Sequence, residues 1–274
     1  MTQATQVVDA TRLSSPEGAP TVGPTTGFDK LEQAVIELAP GERCSRACGS
    51  AEEVLFVLAG SGTLVLAGER HDLEPESGAY LAPSEEYGLE SDGPESLRLV
   101  HVRIPGPAVD VSGAVDVSGA VDTSGAVDPA GAPPERAVVR RLAEQEAQAA
   151  TTEREFRIVA DPSTGLRSAT HFVGYIPVVR APEHFHTYDE VIYVLDGHGT
   201  FHAEGRHDPV QPGSCIQLPA RTVHCLENTG PGLMRVVAVF RPAGSPAAAY
   251  YPDGTPAFPG VPASDVSPEE EVKQ

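Results

Sequence analysis

The sequence predicts an all-β protein in which one strand-rich unit occurs twice, and three observations carry that expectation. Short apolar runs are separated at close, even intervals by turn residues, the pattern of a sandwich or barrel. Of the 274 residues, 27 are Gly and 26 are Pro, which favours turns and short strands over long helices. The chain also resembles itself. Glu53 to Thr63 lies over Glu190 to Thr200 with Glu, Val, Val, Leu, Gly, Gly and Thr in common. With a one-residue shift the match extends to Arg70-His71-Asp72 over Arg206-His207-Asp208, and to Pro83 over Pro219.

Residues 1–27 are polar and rich in Thr, Pro and Gly, and read as a loose tail. Met1 to Ser15 lacks the basic start and apolar core of a signal peptide. Residues 28–104 form the first unit. Its runs are Ala34–Leu38 before Pro40-Gly41, Val54–Leu58 before Gly60-Ser61-Gly62, Thr63–Leu66 before Gly68, and Leu97–Ile104. Residues 105–134 repeat Gly-Ala-Val-Asp from Gly113, Gly119 and Gly125. Three imperfect turns cannot build a solenoid, so this stretch reads as a low-complexity linker. Residues 135–240 form the second unit, opening with helix formers over 135–150 that predict a short helix. Residues 241–274 read as a Pro-, Ala- and Gly-rich tail that Tyr250 and Tyr251 dock onto a barrel.

A formal net charge of −20 repels phosphate backbones and argues against a nucleic-acid partner. No apolar run approaches the ~20 residues that cross a bilayer, so the expectation is a soluble cytoplasmic protein. The cysteines, Cys44, Cys48, Cys215 and Cys225, are too few for a disulfide framework. The Cys44/Cys48 spacing suggests zinc, but no second Cys or His pair lies near it in sequence.

The chemistry concentrates in the second unit. His184 and His186 are two apart, so on a strand they share a face. Glu190 follows after a short gap, and His224 opens a later strand beyond Pro219. Three neighbouring strands of one wall would bring these four side chains together. Imidazoles and a carboxylate suit Fe, Mn, Ni, Co, Cu or Zn as a divalent ion, and four such ligands leave two octahedral positions open.

At these residues the chain resembles the cupin superfamily. His184, His186, Glu190 and Gly197 match its first motif, and Gly213, Pro219, His224 and Asn228 its second. The resemblance implies two double-stranded β-helix (jelly-roll) barrels, with His184, His186, Glu190 and His224 as ligands of one divalent transition metal. Two positions depart from the pattern: Val178 and Arg221 stand where glycines are expected. The first unit resembles a cupin without its site. Glu53 keeps the carboxylate position, while Ala47, Gly49 and Gly88 take those of the histidines, with Cys48, Glu85 and Glu86 as the nearest substitutes.

The resemblance implies a metal-dependent bicupin enzyme acting on a small organic molecule, with a dioxygenase-type oxidoreductase favoured. A non-redox isomerase, lyase, decarboxylase or hydrolase is the alternative, and a non-catalytic binding cupin the third. His171, Tyr175, Arg180 and Gln217 are the candidate substrate-binding residues. Tyr193 and Cys225 should face away from the metal, and His198 should sit exposed in a hairpin turn. A homodimer is expected, because barrel edges and the degenerate unit need cover.

Overall fold

The computed structural model describes residues 4–106 and 136–259. The Gly-Ala-Val-Asp repeat lies outside the described residues. The strands are β1 (Gln6–Asp9), β2 (Ala19–Val22), β3 (Glu32–Leu38), β4 (Arg43–Ala47), β5 (Glu52–Ala59), β6 (Gly62–Leu66), β7 (Glu69–Leu73), β8 (Ser77–Leu81), β9 (Glu86–Ser91) and β10 (Leu97–Ile104). After residue 136 come β11 (Val139–Arg141), β12 (Gln148–Ala149), β13 (Glu155–Ala160), β14 (Thr170–Ile176), β15 (Asp189–Asp196), β16 (Gly199–Ala203), β17 (Arg206–Val210), β18 (Ser214–Leu218), β19 (His224–Asn228) and β20 (Met234–Arg241).

Each unit is a jelly-roll barrel of two antiparallel sheets. The first combines the sheet β11-β8-β5-β10-β3-β2 with β4-β9-β6-β7, and the second combines β1-β18-β15-β20-β14-β13-β12 with β17-β16-β19. Strand alternation sorts the side chains into three cores. Ile36, Leu55, Leu64 and Leu99 fill the first barrel. Phe172, Ile192, Phe201 and Phe240 fill the second. The other faces of the two large sheets pack on each other through Val54, Phe56 and Val100 on one side and Val191, Tyr193 and Val239 on the other. Both faces of β5 and β15 are therefore buried, which is why their sequences read as continuous apolar runs rather than alternating ones. Each buried Val, Leu or Phe contributes about 1.5–3 kcal/mol of transfer free energy.

Two expectations about the ends of the units are corrected. Residues 6–9 are not a loose tail. They form β1, which pairs with β18 of the second barrel from Gln6↔Gln217 to Asp9↔Ser214. Residues 139–149 are not a helix. They form β11, a short 3-10 turn at Leu142–Glu144, and β12. β11 pairs with β8 of the first barrel, the counterpart of β18. The segment before each barrel thus closes an edge of the other barrel. An unpaired edge leaves a row of backbone donors and acceptors open, and satisfying it outweighs local helix propensity. The edges that argued for a dimer are covered here from within the chain, and the degenerate barrel packs on its own partner barrel.

The barrels superpose in register at a constant offset of 137 residues from Glu53 to Arg103: Glu53↔Leu81 answers to Glu190↔Leu218, Gly62↔Ser91 to Gly199↔Asn228, and Arg103↔Glu53 to Phe240↔Glu190. The one-residue shift suggested by Arg70-His71-Asp72 is a coincidence on two hairpins, where Leu73 and Val210 are the true counterparts.

Candidate metal centre

The centre is built at one end of the second barrel. His184 forms an antiparallel bridge with His224, each donating its backbone N–H to the other's carbonyl at 3.0 and 2.8 Å. Phe185 makes the same kind of bridge with Tyr250 and stacks on its ring at 5.6 Å. Phe185 therefore faces outward, and His184 and His186 face in. Tyr250 is buried, so the segment after β20 docks as the sequence suggests.

The three imidazoles converge. One ligand nitrogen from each of His184, His186 and His224 lies within 4.8 Å of the others. Each Nδ1 sits 2.9 Å from a backbone carbonyl, of Pro182, Ala248 and Thr222 respectively. A carbonyl only accepts, so each Nδ1 carries the proton and each Nε2 presents a lone pair. That tautomer, held by an outer hydrogen bond, is the arrangement metal-ligating histidines use. Burial lowers His184 to about 4 and His186 to about 3, and His224 lies well below its ordinary value, helped by repulsion from the other two rings. All three are neutral at pH 7, as a metal requires. The donor set fits a divalent transition ion.

Glu190 lines the same cavity from β15, but it is not one of the three clustered ligands. Burial pushes its carboxyl up to about 8. Tyr188 is buried between His186, stacked at 4.6 Å, and Phe240, stacked at 3.9 Å. Arg154 lines the cavity from the turn between β12 and β13, its Nη2 donating to the Leu226 carbonyl at 2.6 Å. The cavity holds about 90 Å³, and its walls are mostly apolar.

The expected substrate residues do not gather here. His171 is buried on the opposite face of β14, edge-on to Phe56 of the first barrel at 6.0 Å. Gln217 faces the N-terminal segment, accepting from the Thr26 hydroxyl at 2.6 Å and donating to the Ala4 carbonyl at 2.8 Å. Arg180 is exposed. Tyr175 borders the cavity but packs with the inter-barrel core, under the Arg157 guanidinium. Strand alternation explains His171 and Gln217: both lie on the sheet faces that turn away from the barrel interior. Tyr193 and Cys225 face away from the site and His198 is exposed, as expected. Arg221 adopts φ 64°, the left-handed conformation a glycine would take, so the turn keeps its shape and Arg bears the strain. Tyr188, Arg154 and the Ala248 carbonyl were not found from sequence. A backbone carbonyl carries no sequence signal, and a lone Arg in a turn looks like any surface charge.

The first barrel's equivalent positions differ from those expected. Arg46↔Tyr87 occupies the place of His184↔His224, and Cys48 follows where His186 does. Ala47, Gly49 and Gly88 are therefore not the replacements. Tyr87 donates its hydroxyl to Glu53 at 2.8 Å, His101 Nε2 lies 3.0 Å from the same oxygen, and Arg103 donates to the other at 2.6 Å. Glu53 is thus committed to protein partners. Glu85 is committed likewise, to Arg136 at 2.7 Å.

The family model for the cupin domain matches residues 34–103 and 172–240, just over half of the chain. A single-residue variant of Bacillus subtilis oxalate decarboxylase OxdC superposes with a TM-score of 0.65 at 16% identity, covering 90% of this chain and 79% of that one. Ylba from E. coli gives 0.64 at 14% identity, covering 87% and 91%. A cupin 2 conserved barrel domain protein from Leptotrichia buccalis gives 0.54 at 13% identity, covering 86% and 89%. At such identities these structures support the fold. No curated protein sequence matches the chain. No helix among the described residues is long and apolar enough to cross a membrane. With two matched domains, two superposable jelly rolls and one histidine centre, the chain belongs to the cupin family and is a bicupin.

Proposed function

We propose that this bicupin is a metal-dependent enzyme acting on a small organic molecule in the cavity of its second barrel, by a non-redox reaction of the lyase or decarboxylase type. The observation that carries the metal is the convergence of three neutral imidazoles, each oriented by a backbone carbonyl. His184, His186 and His224 would hold the ion, with Glu190 as the fourth ligand or as a carboxyl beside it. When bound, the metal would polarise a substrate carbonyl or carboxylate. The protein orients the imidazoles, excludes water with Phe172, Ile192 and Leu226, and keeps a carboxyl at Glu190 able to hold a proton. The non-redox reading draws on the likeness in fold to Bacillus subtilis oxalate decarboxylase. The cavity, about 90 Å³ with mostly apolar walls, suits a small substrate. Oxalate decarboxylase from Bacillus subtilis, whose structure resembles this one, has Mn(II) centres, which makes manganese the first metal to test.

A dioxygenase is the second reading. It draws on Glu190 lying outside the histidine cluster: three imidazoles leave up to three octahedral positions for a chelating substrate and dioxygen. Elemental analysis of untagged protein tests the centre. The expected result is about one divalent metal per chain, lost in His186→Ala. Equal metal content in the two proteins would overturn the centre, and oxygen uptake matching substrate loss would replace the lyase reading with the dioxygenase.

A further inference from the structure

A single side-chain hydrogen bond ties Arg154 to the fold. It lines the cavity with the three histidines, and its charge reaches all of them. Only Nη2 has a protein partner, the Leu226 carbonyl. Its Nε is buried without one. Among the described residues no carboxylate forms an ion pair with it, whereas buried Glu53 in the first barrel has Tyr87, His101 and Arg103 as partners. A half-buried guanidinium whose Nε lacks a partner leaves donor capacity that an anion in the cavity can meet.

The backbone supplies a second, independent sign. Arg154 follows Thr152 and Glu153, which both stand in the left-handed region at φ 58° and 57°. Tight hairpin turns of this kind favour Asn-Gly, and a β-branched residue there is an outlier. The chain accepts that strain in the turn that delivers Arg154 to the cavity. Strain of this sort clusters where geometry serves a site.

We propose that Arg154 anchors the carboxylate of the substrate, so that the second barrel takes small aliphatic carboxylic acids. The inference rests on the reading of this cavity as the substrate site. The guanidinium has free donors in a planar fork that matches a carboxylate. The apolar walls of Phe156, Ile176 and Val236 suit a short hydrocarbon portion. Arg180, the arginine among the sequence candidates for substrate binding, is exposed and does not line the cavity.

The test is calorimetric titration of the full chain, metal-free and loaded with Mn(II), using acetate, pyruvate and malonate against the corresponding neutral amides. The wild type should bind at least one acid ten times or more tighter than its amide. Arg154→Gln, which keeps a donor for the Leu226 carbonyl, should lose most of that preference while retaining its metal. Arg154→Lys should retain part of it. A wild type that binds acids and amides alike, or none of the acids, overturns the proposal without any variant, as does Arg154→Gln binding acids like the wild type. Metal content separates this from the function above. A chain that takes up no metal yet prefers acids defeats the metal reading alone, whereas a loaded chain with no preference defeats the Arg154 assignment alone.

Discussion

At the scale of residues, the site is governed by burial. Glu190 has a raised carboxyl and the histidines have lowered imidazoles because the cavity disfavours charge of either sign. In metal-free protein the two effects oppose one another. Below the ordinary imidazole value of 6.5 the unfolded chain binds protons that His184, His186 and His224 refuse in the fold, so stability falls as pH falls towards about 4 and 3. Between about 4.5 and 8 the folded Glu190 keeps a proton the unfolded chain has released, so stability falls as pH rises. The imidazole effect fades over about a pH unit above 6.5, while the second persists to about 8. Urea unfolding in chelator should show the wild type losing about 1 kcal/mol per pH unit relative to Glu190→Gln from 6.5 to 8. Parallel profiles for the two proteins would mean that Glu190 is ionised in the fold. Tyr188 makes a simpler case. Its ring fills the space between His186 and Phe240, so Tyr188→Ala should cost about 3–5 kcal/mol and loosen metal retention, while Tyr188→Phe keeps the stack and both properties.

At the scale of elements, strand exchange and close approach carry the argument. β1 closes the β18 edge with Val7 and Val8 half-buried. Removing residues 1–10 should lower stability by about 3 kcal/mol and promote self-association through the opened edge, measurable by thermal melting and gel filtration. Gly78 on β8 shows how tightly the sheets meet: a Cβ there would lie 2.1 Å from Val159 Cγ1 of the second barrel. Gly78→Ala should cost about 1–3 kcal/mol. The turn before Arg154 should respond in the opposite direction. Replacing Thr152 and Glu153 by Asn and Gly removes left-handed strain and should raise stability by about 1–2 kcal/mol, read in the same melts.

At the scale of the whole molecule, the barrels share a third core and trade edge strands, so they should unfold together in one transition. Two separated calorimetric transitions would contradict this. His171 sits in that shared core, its ring against Phe56 and its Nδ1 without a partner. Burial lowers it to about 3, so the contact between the barrels weakens as pH falls below 6.5. His171→Phe should preserve the ring contact and make the protein more resistant to acid, with little change at pH 7.

Motif spacing and strand period determined much of this protein in advance. They named the duplicated all-β unit, the three histidines and the carboxylate beside them, because ligands two apart on a strand share a face wherever that strand is placed. The tertiary structure alone decided which face of each sheet meets the other barrel, and hence that His171 and Gln217 serve packing rather than substrate. It also decided that Arg46, Cys48 and Tyr87 replace the ligands of the first barrel, since register is set by backbone pairing and a chance run of identical hairpin residues does not reveal it. Arg154 and the Ala248 carbonyl reach the cavity from segments far apart in sequence. Local pattern records what neighbours along the chain do, and contacts closed by burial across the molecule leave no periodic trace in it.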